Sequence, residues 1–260
     1  MSVREVLLKI WVVCVYVFLF APILTVIIMS FYTSKYSTFP LGDLTLKWYK
    51  LAATDQNIIS AIKNSFLISL VATFGATSIG TLAAMGFVRQ KFRGKEMLNA
   101  FFLSPMIIPE IITGIALLSF ATIMKVQGGM MLIVIGHILI CLPFVLTVVS
   151  ARLHGFDRSL EEAAMDLGAS ETVTFRRITL PLIMPGIIGG ALLAFTVSFD
   201  NFLITYMLAG PGITTIPIQV YSMVRFEITP KIHAFSTFIV LISMTLIIIN
   251  ERVIRSRSKA

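Results

Sequence analysis

The chain has 260 residues, 57% of them hydrophobic and only 13% charged, with a formal net charge of +8 and a mean hydropathy of +0.92. A soluble globular domain carries about 25% charged residues, so this composition excludes one and places the chain in a bilayer. Cys14 and Cys141 have no redox or metal spacing, His137, His154 and His233 are dispersed, and no G-x-x-x-x-G-K-S/T loop occurs; no metal, dinucleotide or hydrolytic constellation points to an enzyme.

The first charge-free run, residues 10–34, is longer than a signal-peptide core and reads as a retained span. A polar outer segment, Thr33 to Lys63, follows it, so residues 1–60 form a peripheral helix with its outer extension and 61–260 form the core. The run 64–88 carries Ala76, Gly80 and Ala84 four residues apart, a small-residue face on which a neighbouring helix packs. The third span, about 97–124, contains Glu110 and is interrupted by Pro105 and Pro109, which predicts a kink beside the acid. Residues 126–151 make a fourth span. A fifth, 181–208, opens on Pro181 at a first helical turn, has Pro185, Gly186, Gly189 and Gly190 near its start, and contains Asp200. Gly210-Pro211-Gly212 marks an outer turn, Thr215 to Glu227 an external excursion that is a docking candidate or a plain connector, and 232–250 a sixth span.

Orientation follows from the basic residues. With both termini cytoplasmic, fourteen of the 21 lysines and arginines fall on the inner side and seven on the outer, as the positive-inside rule requires. The net charge then reflects topology and anionic lipid headgroups, with no need for nucleic acid. The polar loop 153–180 lies inside.

Within that loop Ser159 and Glu162 have capping-box spacing, and Leu160, Ala163, Ala164 and Leu167 recur at i, i+3, i+4 and i+7. A short amphipathic helix is predicted, with Glu161, Asp166 and Arg158 on other faces and Gly168 as its stop. Glu162-Ala163-Ala164, three residues, Gly168, nine residues and Ile178-Thr179-Leu180-Pro181 resemble the EAA motif of permease subunits in ATP-binding-cassette importers. Through Pro105 to Gly114, Glu161 to Ala169 and Ser198-Phe199-Asp200-Asn201, the chain resembles the spermidine/putrescine branch of that family.

The resemblance implies an all-α polytopic membrane protein of six transmembrane helices with the type I importer (MetI-like) permease fold, in a bacterial inner membrane. It implies that Ser159 to Gly168 form a coupling helix that docks on an ATPase, with Glu162 at the joint. It implies a second homologous permease, two ATPase subunits that bind ATP and Mg, and an external solute-binding protein, with no cofactor on this chain. The solute is expected to be a polyamine; an opine, an amino-acid-like or phosphonate-type zwitterion, or a stand-alone secondary transporter are the alternatives. Interrupted helices at matching positions in two halves, expected of the last, are not evident.

Acids inside a membrane face a bundle interior, water or a cation. On a straight helix Glu110 sits about 21 Å beyond Glu96, and Asp200 about 28 Å beyond Pro181, so both belong to the outer half. Glu110 and Asp200 are candidates for binding a cation, with Ser198, Asn201, Thr205 and Tyr206 adding hydrogen bonds or a ring face. Alternatively Glu110 caps backbone groups freed by the kink and Asp200 is a hydrated interfacial acid.

Overall fold

The computed structural model describes residues 3–33, 42–155, 157–226 and 230–257. Within them every extended element is helical, and an isolated bridge joins Tyr32 to Leu44. The helices are α1 (Val3–Met29), α2 (Lys47–Thr54), α3 (Gln56–Arg89), α4 (Lys95–Ile107), α5 (Glu110–Ile123), α6 (Met130–His154), α7 (Ser159–Asp166), α8 (Glu171–Thr174), α9 (Leu180–Phe199), α10 (Leu203–Leu208), α11 (Ile216–Phe226) and α12 (Lys231–Arg257), with a π turn, Phe175–Thr179, between α8 and α9. Lys35, Glu227 and Lys259, used above for charge and loop assignments, lie outside the described residues.

Two compact units form, Met1–Ile59 with Gln219–Ala260, and Ser60–Ile218. The boundary between them falls next to residue 60, and α12 groups with the N-terminal helix. In the first unit α12 packs on α1 and α2. Helix α1 is apolar all round and exposed along nearly its whole length, with Trp11 68% and Phe18 78% accessible, the signature of a helix solvated by lipid. The polar extension is tied down by Trp48 Nε1, which donates to the Tyr32 carbonyl at 2.8 Å. Asp55 caps α3, accepting the Asn57 N–H at 2.9 Å, and pairs with Lys231 Nζ at 2.7 Å. Partial burial alone raises its pKa; Lys231 and the backbone N–H groups outweigh that and hold the carboxyl below its ordinary value.

In the second unit α6 is the axis. Ile133, Cys141, Val145 and Val149 are fully buried along it, α9 and α4 pack against it, and α3 meets it through its small-residue face. Ala76 and Ala84 are fully buried there, and a Cβ on Gly80 would stand 2.9 Å from Val145 Cβ. Without a hydrophobic drive between helices in lipid, such backbone approach supplies the dispersion energy that holds them.

Among the described residues four helical runs, α1, α3, α6 and Glu171–Phe199, are long and apolar enough to cross a membrane, and the pair α4 and α5 passes the same test as one broken span. Where the sixth span is expected, α12 contributes a shorter apolar stretch, Lys231–Ile242. Two expectations change. The third span is not kinked but broken, its halves meeting at 108°; Pro105 is absorbed inside α4, and the break falls at Ile108–Pro109, because the residue before a proline avoids the helical region. The straight-helix depth of Glu110 therefore does not hold. Pro181 falls in the first turn of α9, as expected, and α8, the π turn and α9 follow one another without a break. The external excursion is a helix, α11, in which Arg225 lies over Tyr221 and Phe226.

The α3–α6 contact predicts that Gly80→Val overpacks the bundle, at about 1–3 kcal/mol, and lowers the melting temperature of the purified protein. Gly86→Ala is the control: its Cβ meets nothing within 4 Å, and its melting temperature is expected to hold or rise.

Candidate functional site

Two polar clusters interrupt the second unit. The first is the loop around α7. The helix begins at Ser159 with Arg158 in helical conformation at the N-cap, and the Ser159 N–H is taken by Asp157 Oδ1 at 3.0 Å. That bond lowers the Asp157 pKa. The Ser159–Glu162 capping box is therefore not formed: Asp157, two residues earlier, competes successfully for the helix end. The stop is as read. Gly168 has φ +86°, its N–H bonds the Met165 carbonyl and the Ala169 N–H bonds the Ala164 carbonyl, which together make a Schellman cap.

The orientation of α7 is the main finding. Glu161 is buried, 7% accessible, and its Oε1 accepts from Arg89 Nη2 at the end of α3 and from Thr179 Oγ1 in the π turn. Glu161, Arg89 and Thr179 thus fasten α7 to two membrane helices at once. Glu162, Ser159, Asp166 and Gly168 are exposed and Ala164 is half-buried. Leu160, Ala163 and Leu167 of the apolar stripe are exposed, Leu160 49% and Leu167 90% accessible. The helix is inverted relative to a surface helix, with its acid inside and its apolar stripe out. An arrangement of that kind offers a preformed surface to a protein partner.

The second cluster sits where two helix breaks meet. Glu110 opens α5 and is half-buried; its Oε2 accepts from Asn201 Nδ2 at 2.9 Å. Asn201 lies in the break between α9 and α10, where its Oδ1 caps α10 by accepting the Ile204 N–H at 3.0 Å. The imidazole of His137, on α6 and 1% accessible, lies 2.7 Å from Ser198 Oγ through Nδ1 and 2.9 Å from Thr205 Oγ1 through Nε2. Ser198, Asn201 and Thr205 are all buried. Asp200 is exposed, and Tyr206, 46% accessible, stacks on Phe202 at 5.2 Å between centroids.

Of the six residues expected along a solute path, Glu110, Ser198, Asn201 and Thr205 are brought into one network, whereas Asp200 and Tyr206 stand outside it on accessible surface. The Ser198 and Thr205 hydroxyls are committed to His137. Sequence reasoning missed His137, Arg89 and Thr179, whose partners lie 18 to 90 residues away. The available signal was weak: a histidine inside an apolar span and an arginine at the end of another. Pro185 lies inside α9, and beside it Gly186 packs so closely on α6 that its Cβ would come within 2.9 Å of Arg152 Cβ. Among the described residues no group of His, Cys, Asp and Glu could hold a metal.

Comparison with known proteins covers both clusters. Residues 76–256 match the family described as binding-protein-dependent transport system inner membrane component. The chain is 34% identical over 245 residues to the spermidine/putrescine transport system permease protein PotC of Escherichia coli (strain K12), a similarity spanning 94% of this chain and 92% of that protein. It is 42% identical over 231 residues to the putrescine transport system permease protein PotI of the same organism, spanning 86% and 82%. Its fold is similar to that of a chain in a bacterial ABC transporter involved in the import of the acidic polysaccharide alginate, with a TM-score of 0.74, 16% identity, and 97% and 96% of the two chains covered.

The fastening of α7 predicts that Glu161→Ala leaves Arg89 and Thr179 without their partner and costs about 3–5 kcal/mol locally. Amide exchange across residues 159–168 is expected to rise at least a hundredfold, following about 1.4 kcal/mol per decade. Glu162→Ala, at an exposed position, is expected to leave exchange within about threefold; equal exchange in both variants contradicts the assignment of Glu161.

Proposed function

The chain belongs to the inner-membrane components of binding-protein-dependent transport systems, and on that premise we propose that it is the permease subunit of an ATP-driven importer that carries a polyamine, of the spermidine or putrescine type, into the cell. The observation that carries the coupling half of this reading is the inverted α7, a short helix locked to α3 and the π turn by Glu161, with an apolar face left uncovered. That face fits a groove on an ATPase subunit, and Glu162 and Asp166 at its edge fit cations there. ATP and Mg belong to that partner. A second, homologous permease completes the path, an external binding protein delivers the solute, and both termini lie in the cytoplasm.

Rigid attachment is what lets such a helix transmit force. A lever that slips dissipates the movement of its partner, whereas Glu161 holds α7 to Arg89 of one membrane helix and Thr179 of the run entering another. Movement of the ATPase then reaches α3 and α9 together, and these converge on α6. Among the described residues α6 bears the largest share of the buried core and, through His137, the second cluster.

The solute half rests on charge. Glu110 stands at the bent break of one span, where α5 turns away from α4, and Asp200 stands at the break of another. An alkylammonium group can use a carboxylate whose second lone pairs are unfilled, and Glu110 Oε1 is the atom that meets this condition while Oε2 is bonded to Asn201. Tyr206 adds a ring face. The similarity to PotC and PotI supports this solute class over the zwitterionic alternatives.

Two measurements in proteoliposomes holding the full complex check the reading. Glu162→Lys is expected to lower solute-stimulated ATP hydrolysis about tenfold or more, since it opposes the edge charge of α7 by about 1.4 kcal/mol or more; normal stimulation counts against the coupling assignment. Glu110→Gln keeps the contact with Asn201 and removes the charge. It is expected to raise the KM for putrescine or spermidine about tenfold to a hundredfold, as for a charged hydrogen bond of about 1.5–3 kcal/mol; an unchanged KM removes Glu110 from the solute path.

A further inference from the structure

His137, 1% accessible, is a buried polar side chain of the membrane core that the transport reading leaves without a task. Its two ring nitrogens touch hydroxyls on either side of a chain break. Ser198 lies in the last turn of α9 and Thr205 in the first turn of α10, and between them residues 200–202 are not helical. The proton positions follow from the partners. Thr205 Oγ1 donates to the Asn201 carbonyl at 3.0 Å, and a hydroxyl has one proton to give. Thr205 must therefore accept from His137 Nε2–H, which leaves Nδ1 as an acceptor for the Ser198 hydroxyl. A neutral imidazole supplies one donor and one acceptor, as this requires.

From Ser198 onward the bonds run in a single direction to the break: Ser198 O–H to Nδ1, Nε2–H to Thr205, Thr205 O–H to the Asn201 carbonyl. Asn201 itself is fixed at every polar atom that its side chain presents, Oδ1 by the Ile204 N–H and Nδ2 by Glu110 Oε2. We infer that His137, as the neutral Nε2–H tautomer, is a positioning residue that staples α9 to α10 across their break and, through Asn201, aims the Glu110 carboxylate. Substitution of the ring strands the buried Ser198 hydroxyl and removes the donor from which Thr205 accepts, and the break is then free to repair itself by turning Asn201, whose amide leaves Glu110. The carboxylate would lose the hydrogen bond that sets its rotamer, not its charge.

The link from Glu110 to solute rests on the transport reading; the staple itself does not. Two experiments separate them. In the first, the complete transporter, labelled with 15N-histidine and reconstituted in lipid, is examined by solid-state NMR, with His137→Gln used to assign the signal. An unprotonated Nδ1 with a protonated Nε2 is expected, unchanged in Glu110→Gln. An Nδ1–H tautomer or an imidazolium overturns the inference whatever Glu110 does.

In the second, putrescine uptake is followed in His137→Leu, His137→Gln, Glu110→Gln and the double variant His137→Leu with Glu110→Gln. His137→Leu is expected to raise KM about tenfold with the maximal rate within about twofold, and His137→Gln, which keeps one donor and one acceptor, to recover most of it. On the Glu110→Gln background His137→Leu is expected to raise KM by less than about twofold, because its effect passes through Glu110. Full additivity, or a fall in maximal rate at constant KM, identifies a merely structural histidine and overturns the inference. If Glu110→Gln alone leaves KM unchanged, the solute assignment of Glu110 fails, and the NMR result still decides the staple.

Discussion

One buried carboxylate organises the end of this protein at which α7 lies. A charge removed from water is tolerated only when paired and hydrogen-bonded, and Glu161 is both, by Arg89 and Thr179. Because those partners terminate one membrane helix and precede another, satisfying the carboxylate fixes where α7 sits. Turning Glu161 inward leaves Leu160, Ala163 and Leu167 facing outward. The exposed apolar face is thus a consequence of the ion pair and does not need a separate cause.

The second cluster repeats the logic, chiefly with neutral groups. Both breaks, between α4 and α5 and between α9 and α10, free backbone and side-chain polar groups inside a membrane, where each must find a partner within the protein. Asn201 satisfies the start of α10 and Glu110 together, and His137 satisfies the two hydroxyls that flank the break. The breaks are what make room for a carboxylate at this depth, and the network keeps them from closing. The first cluster leads into α9 through Thr179 in the π turn, and the second draws on α9 and α6 through Ser198 and His137; α9 and α6 pack against one another, so movement at one cluster has a stiff route to the other.

Much of this was legible in the residues. The apolar runs located the spans, the Ala76, Gly80 and Ala84 face located a helix contact, and the spacing from Glu162 to Pro181 located α7 and its Gly168 stop. What failed has physical reasons. A helical wheel places charges toward water, so Glu161 was assigned to a solvent face, because its partner Arg89 is 72 residues away and no local pattern announces the pair. Ser159 has the spacing of a cap, but Asp157 is nearer to the same N–H and carries a full charge. Pro109 reveals where a donor is missing and not the angle that results, which is why a kink was expected and a 108° break was found. His137 finds its partners across 61 and 68 residues, a separation at which only the folded chain can bring them together.

The account turns on what covers the uncovered face of α7. The direct measurement is site-specific cross-linking in the assembled transporter, with a single cysteine replacing Leu167 and a matching cysteine scanned along the surface of the ATP-hydrolysing subunit. A disulfide that forms at one patch of that subunit, in good yield, and that abolishes solute-stimulated hydrolysis until reduced is the predicted result. Cross-linking of Leu167→Cys to no ATP-hydrolysing subunit, or its labelling by a membrane-impermeant thiol reagent from the external side, contradicts it.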